Sequence, residues 1–281
     1  MNTRALNTAG YIYLLLVPFF AGVLGFGVGH VSYKIYIPVW ILNVIIMLIA
    51  AWFTGLNIIR FKNEEQSHLA KAAFFLIVPW ILISMFAGLG PPPENAIDWT
   101  LTSTEQQLRY SMLVVAGLFL LLGIAVLKDR LKKKGESFYS LLALISILIA
   151  IPLFIINMLY WGFYLTELFR IQTEKNILSF PDWFLPVRQL FGVISAIEVS
   201  LTYVTVILIA ASMKKVGLLN NRSNALYMLF SITALIIMIL SVFLTETFKT
   251  AGFAVSIPAV PFLMPYIIGV NLLKKISITL N

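Results

Sequence analysis

Eight long apolar runs decide what this chain can become: residues 10–30, 36–59, 69–90, 108–127, 138–164, 186–213, 225–244 and 251–273. At about 1.5 Å of rise per residue, each is long enough to cross the hydrocarbon core of a bilayer as a helix. Lipid offers backbone N–H and C=O groups no water, so only helices and closed barrels span it. Continuous apolar runs are a helix pattern, whereas barrel strands alternate. The expected fold class is all-α, a polytopic integral membrane bundle of eight transmembrane helices, with residues 1–281 forming a single membrane domain. The first run is too long for a signal-peptide core and is followed by no small-residue cleavage site, so it is read as a mature helix.

Charge then orients the bundle. Of 20 basic residues, 14 fall on one side: Arg4, Arg60, Lys62, Lys71, Lys128, Arg130, Lys132, Lys133, Lys134, Lys214, Lys215, Arg222, Lys274 and Lys275. The other side holds Lys34, Arg109, Arg170, Lys175, Arg188 and Lys249 together with most of the acids. The positive-inside rule places both termini in the cytoplasm and the 90–109 and 166–185 segments outside, in a cytoplasmic (cell) membrane. The net charge of +8 is thereby accounted for by topology, and nucleic acid is not expected as a partner. The 166–185 segment mixes Phe169, Ile177, Phe180, Trp183 and Phe184 with charges, which fits a piece lying along the outer leaflet or a lid over the bundle. Trp99 is expected at the headgroup level.

A faint echo divides the chain into halves 1–134 and 135–281. Tyr36-Ile-Pro-Val-Trp opens the second run as Phe184-Leu-Pro-Val-Arg opens the sixth. Four helices per unit would make a 4+4 parallel repeat. Chance similarity among apolar segments produces the same echo as readily. In the first run, Ala21, Gly25 and Gly29 share a face suited to close helix packing.

The stretch 180–215 departs furthest from what lipid prefers, because it carries Glu198. Among 12 acidic residues, Glu198 alone falls near the middle of a long apolar run, where a charge is costly and usually functional. At roughly 100° per residue, Ser195, Thr202 and Thr205 lie within about 60° of it and Arg188 within about 80°. That polar stripe should face the bundle interior. Arg188 is about 15 Å further along the axis, too far to pair within the helix. Without a cationic partner the carboxyl is expected to rest protonated unless a bound cation replaces the proton.

Depth supplies its candidate neighbours. Asn43 and Asn157 lie about 10 Å below the outer ends of their runs and Glu198 about 18 Å, with Tyr160 and Trp161 in the upper layer. The eighth run adds Pro258, Pro261 and Pro265, which would free the carbonyls of Ala254, Ile257 and Pro261 from helical donors. Broken helices beside an acid are how transporters hold cations and polar substrates. The alternative is that the prolines only kink the helix and that Glu198 bonds Asn157 or Tyr160 as a packing device.

Enzyme and cofactor signatures are missing. There is no H-E-x-x-H, G-x-S-x-G, Walker A or paired acidic Mg²⁺ motif, and no cysteine. His30 ends the first run without companions for a metal or haem, and His68 is read as a solvated loop residue. No cofactor is expected. The leading functional expectation is a transporter or permease for a small solute. Its pocket would lie between the fifth, sixth and eighth runs, with Glu198 as proton or cation site and Ser195, Thr202, Arg188, Asn157, Tyr160, Asn43, Pro258 and Pro261 around it. Two others stand beside it: a non-catalytic subunit or sensor bound to another membrane protein or to its own copy, and a lipid-modifying enzyme.

Overall fold

The computed structural model describes residues 3–60, 64–175 and 180–278, and every regular element among them is helical. Lys62 and Ile177 lie outside the described residues. The helices are α1 (Thr3–Gly27), α2 (Tyr33–Thr54), α3 (Glu64–Ile83), α4 (Phe86–Leu89), α5 (Ala96–Leu101), α6 (Ser103–Lys133), α7 (Phe138–Leu159), α8 (Leu165–Glu174), α9 (Phe184–Lys215), α10 (Asn221–Phe243), α11 (Thr245–Ser256) and α12 (Ala259–Ile278). Among the described residues eight stretches of helix are long and apolar enough to cross a membrane, the make-up of a multi-pass membrane protein.

The core centres on α3, the most buried of the eight, held between α6 and α12. Around it α6 packs on α7, α7 on α9, α9 on α10, and α1 on α2. Apolar side chains such as Phe19 and Phe20 on α1, Leu42 and Ile49 on α2, and Leu229 and Ile236 on α10 stay exposed. In water such flanks would be a liability, whereas lipid covers them at no cost. Where α1 and α2 meet, glycine is required: a Cβ on Gly10 would sit 2.8 Å from the Ala50 carbonyl oxygen. Of the small-residue face read in α1, Gly25 faces α4 at Ala87, while Gly29 lies beyond the helix end.

Contacts define two ends. At the basic end Glu65 on α3 pairs with Arg130 and Lys134, Lys275 on α12 donates to the Gly217 carbonyl, and Asn7 on α1 meets Ser277. Gly55 closes α2 there at φ 153°, where a Cβ would lie 2.4 Å from the Leu273 carbonyl oxygen. His68 belongs to the first turns of α3 rather than to a loop. At the opposite end His30 lies 2.6 Å from Glu105, and buried Arg109 donates to the carbonyls of Leu89 and Gly90 at 3.1 and 2.9 Å. That arginine satisfies the end of α4 just before the prolines stop the chain.

Trp99 is buried among protein side chains: its ring stacks near Tyr110 and meets Phe169 edge-on, and its indole N–H donates to Thr166 at 2.9 Å. The segment after α7 begins as a helix without a break in the chain's winding. A π turn, Tyr160–Tyr164, carries α7 directly into α8, which packs on α5.

The eighth run is also two helices. Pro258 has no N–H and drives Ile257 out of helical geometry, to φ −56° and ψ 124°, so α11 ends at Ser256 and α12 starts at Ala259. The Ile257 carbonyl is not left free, since it accepts the Val260 amide at 2.8 Å. Pro261 falls in the first turn of α12, where no intrahelical donor is lost. Pro265 is the proline inside α12, so of the three carbonyls expected to be freed that of Ile257 is occupied, while those of Ala254, in the last turn of α11, and Pro261 face prolines that offer no donor.

Candidate functional site

Glu198 sits on α9 where that helix crosses α7, and it is 2 % exposed. Asn157, also 2 % exposed, reaches it from α7 and donates from Nδ2 to Oε1 at 2.9 Å. Here the hydrogen bonding stops. Glu198 Oε2, Asn157 Oδ1 and the Tyr160 hydroxyl are all buried and have no hydrogen-bond partner. Tyr160 follows Asn157 by three residues and shares its side of α7. Among the described residues no lysine, arginine or histidine forms an ion pair with Glu198.

Unmet acceptors are the informative feature. Buried polar groups are nearly always paired, and each orphan in a native structure calls for a reason. Two oxygens on adjacent residues that lack a donor form a place where a proton or a cation completes the bonding. A protonated Glu198 would supply one O–H, and a bound cation would draw on both oxygens.

The other candidates divide. Thr202 is buried but turns back, donating to the Glu198 backbone carbonyl at 2.8 Å rather than to the carboxylate; Thr205 does the same to Leu201. Such back-bonding is the ordinary way a hydroxyl is satisfied within a helix. Ser195 is partly buried, one turn from Glu198. Arg188 is exposed in the first turns of α9, its charge close enough to act on Tyr160. The Tyr160 ring stacks on Phe191 with centroids 3.7 Å apart, closing the gap between π turn and α9 above Glu198. Just outside that stack lies an open, apolar cleft of about 440 Å³, bordered by Phe163, Tyr164 and Val187. Asn43 belongs elsewhere: it accepts from Tyr13 at 2.7 Å and faces Ser84 in the turn after α3. Pro258 and Pro261 lie at the α11–α12 break, whose nearest bond to α9 runs from the Tyr203 hydroxyl to the Val255 carbonyl at 2.7 Å. No cluster of three or more metal-ligating side chains occurs among the described residues.

Two polar assemblies escaped the sequence reading. Tyr11, Asn271 and Tyr227 form a hydrogen-bonded chain linking α1, α12 and α10. Asn271 lies three residues before Lys274, a position that reads as the fading end of a span. Glu136, between α6 and α7, is 1 % exposed, although it stands in a charged loop. Its carboxylate accepts the amides of Tyr139 at 2.9 Å and Ser140 at 3.2 Å and the Ser212 hydroxyl of α9. Burial alone would raise its pKa, but those hydrogen bonds outweigh it and hold the carboxyl below the usual glutamate value. The Gly-Glu-Ser sequence before an apolar run was the available signal, that of a helix start. Comparison with known protein families, with curated proteins and with solved structures gives no match to this chain.

Proposed function

We propose that the protein is a multi-pass transporter or permease of the cytoplasmic membrane, moving a small solute with proton or cation coupling at Glu198. The observation that supports this most is the buried Glu198–Asn157 pair with Glu198 Oε2 and Asn157 Oδ1 unpartnered. A side chain kept only for packing would be expected to have its oxygens satisfied, as Glu136 does. In this reading the solute approaches between α7 and α9, past the Tyr160–Phe191 stack. Both termini face the cytoplasm, because the basic residues gather at the end where α1 begins and α12 finishes. Spans one to four and five to eight would then be parallel halves.

The test is flux into proteoliposomes across a solute panel at two pH values, with parent and Glu198→Gln compared. Uptake that depends on pH in the parent and not in the variant is the expected result. Equal flux and equal pH dependence in both would overturn the coupling role. Reporter fusions at Asn95 and Lys133 check the topology, and they should report opposite sides.

A further inference from the structure

The apolar cleft beside the Tyr160–Phe191 stack has a cation at its head. It follows α7 from Tyr164 to Ile156, about 12 Å along the helix axis, with Val187 and Phe191 of α9 as the facing wall. Ile156 and Leu159 on its α7 side are exposed, so it opens on the apolar flank of the bundle. Arg188 follows Val187 and is itself exposed, in the first turns of α9. The acids of α8 are already engaged, since Glu167 and Glu174 both pair with Arg170. Asp182, exposed just before α9, forms no ion pair with Arg188, and among the described residues no other acid does.

The Tyr160 hydroxyl lies within the field of that charge, is buried and has no hydrogen-bond partner. A guanidinium carries only donors, and a phenol that accepts from one still has its own O–H to give. The head of the cleft is therefore short of an acceptor. An anionic oxygen meets both groups, and charge-assisted bonds of this kind are the strong ones. Below, the walls are aliphatic and aromatic. At about 30 Å³ for a group of a water's size, which a methylene matches, a cleft of about 440 Å³ holds about fifteen such groups, one acyl chain in length. Trp183, half-exposed and edge-on to Tyr164 at this end, is the kind of ring found at the level of lipid headgroups.

We propose that the cleft seats an anionic phospholipid, its phosphate accepting from Arg188 and Tyr160 and one acyl chain lying along α7. Neither Glu198 nor Asn157 lines the cleft, so the site stands apart from coupling at Glu198. Protein purified in detergent is titrated with phosphatidylglycerol, with phosphatidylcholine and with inorganic phosphate, reading the thermal unfolding midpoint. In the parent, phosphatidylglycerol should half-saturate at a concentration about fivefold lower than phosphatidylcholine, whose trimethylammonium offsets the phosphate beside Arg188. Inorganic phosphate, lacking a chain, should give no saturable shift.

Arg188→Gln should abolish the preference, whereas Arg188→Lys, which keeps the charge, should hold phosphatidylglycerol within about threefold of the parent. Tyr160→Phe, which loses one neutral donor, should raise the half-saturating concentration of both lipids about threefold. Leu159→Trp, which fills the cleft, should weaken both lipids alike. The control Arg222→Gln, at an exposed arginine of the basic end, should keep the preference intact. Equal half-saturation by the two lipids in the parent, or a preference that survives Arg188→Gln or is lost equally in Arg222→Gln, would overturn the proposal. So would unchanged binding in Leu159→Trp or Tyr160→Phe, or a matching shift from inorganic phosphate.

Discussion

Two glutamates of this chain are almost equally buried, Glu198 at 2 % and Glu136 at 1 % exposure, and their surroundings are opposite. Glu136 lies at the start of α7, where the first amides of a helix have no intrahelical acceptor. It takes two of them and a serine hydroxyl besides. Glu198 lies in the middle of α9, where every nearby backbone amide is already used by the helix. It has one side-chain donor and an oxygen left over. The same carboxylate is thus a fastener at a helix end and an unfinished site in a helix middle. Position along the helix, and not depth of burial, separates the acid whose oxygens are both met from the one with an oxygen left unpartnered.

The sharpest way to break that contrast is to substitute both. Glu198→Gln should remove the pH-dependent part of flux, since an amide can neither release a proton nor balance a cation. Its unfolding free energy should stay within about 1 kcal/mol of the parent, because glutamine still accepts from Asn157 Nδ2 and can donate toward Oδ1. Glu136→Ala should do the reverse, costing roughly 2–4 kcal/mol of stability through lost amide and hydroxyl bonds. Both are read from thermal or denaturant unfolding in detergent beside flux. If Glu198→Gln is the more destabilised of the two, Glu198 is also a fastener and the contrast fails.

Acid sharpens the contrast further. Glu136 has a folded pKa below its ordinary value of 4.5, so its contribution to stability is complete above that value. It is lost as pH falls through the lower folded one. Parent protein should therefore lose stability below about pH 4.5 more steeply than Glu136→Gln. Parallel acid profiles would show that Glu136 is not the group that titrates.

Asn157 comes next. Asn157→Leu leaves Glu198 with no hydrogen-bond partner and should cost about 1–3 kcal/mol. Replacing both, as Glu198→Leu with Asn157→Leu, removes the unmet polar atoms altogether and should recover most of that loss while flux stays absent. A double variant less stable than Asn157→Leu alone would mean that the pair stabilises the bundle in its own right.

Much of this architecture was legible because lipid imposes it. An apolar run long enough to cross can be little else, and a lone acid inside one stands out. Asn157 was reached by counting depth from helix ends, which works when two helices cross where their lengths say they do. Depth says nothing about which helices are neighbours, so Asn43, at the same level as Asn157, was grouped with Glu198 although its partners are Tyr13 and Ser84. The eighth run misled for a local reason. Hydropathy continues through Ile257 and Pro258, but the backbone does not. Glu136 was invisible to a search for charges inside apolar runs, because it is buried by three helix ends closing over a loop.

The smallest effect expected is at Thr202, and it is the finest test of the site's limits. On a helical wheel Thr202 belongs to the polar stripe with Glu198, and from sequence it reads as part of the binding face. In the structure its hydroxyl is spent on the Glu198 backbone carbonyl, one turn back along α9, a carbonyl whose helical bond is available without it. Thr202→Val keeps the branched shape and loses only that back-bond. Stability should change by less than about 0.5 kcal/mol, since such bonds contribute little within a helix. Flux and its pH dependence should match the parent's. A clear loss of flux with stability unchanged would show that the Thr202 hydroxyl swings from the carbonyl to the carboxylate during transport. The site would then extend down α9 beyond the layer of Asn157 and Tyr160.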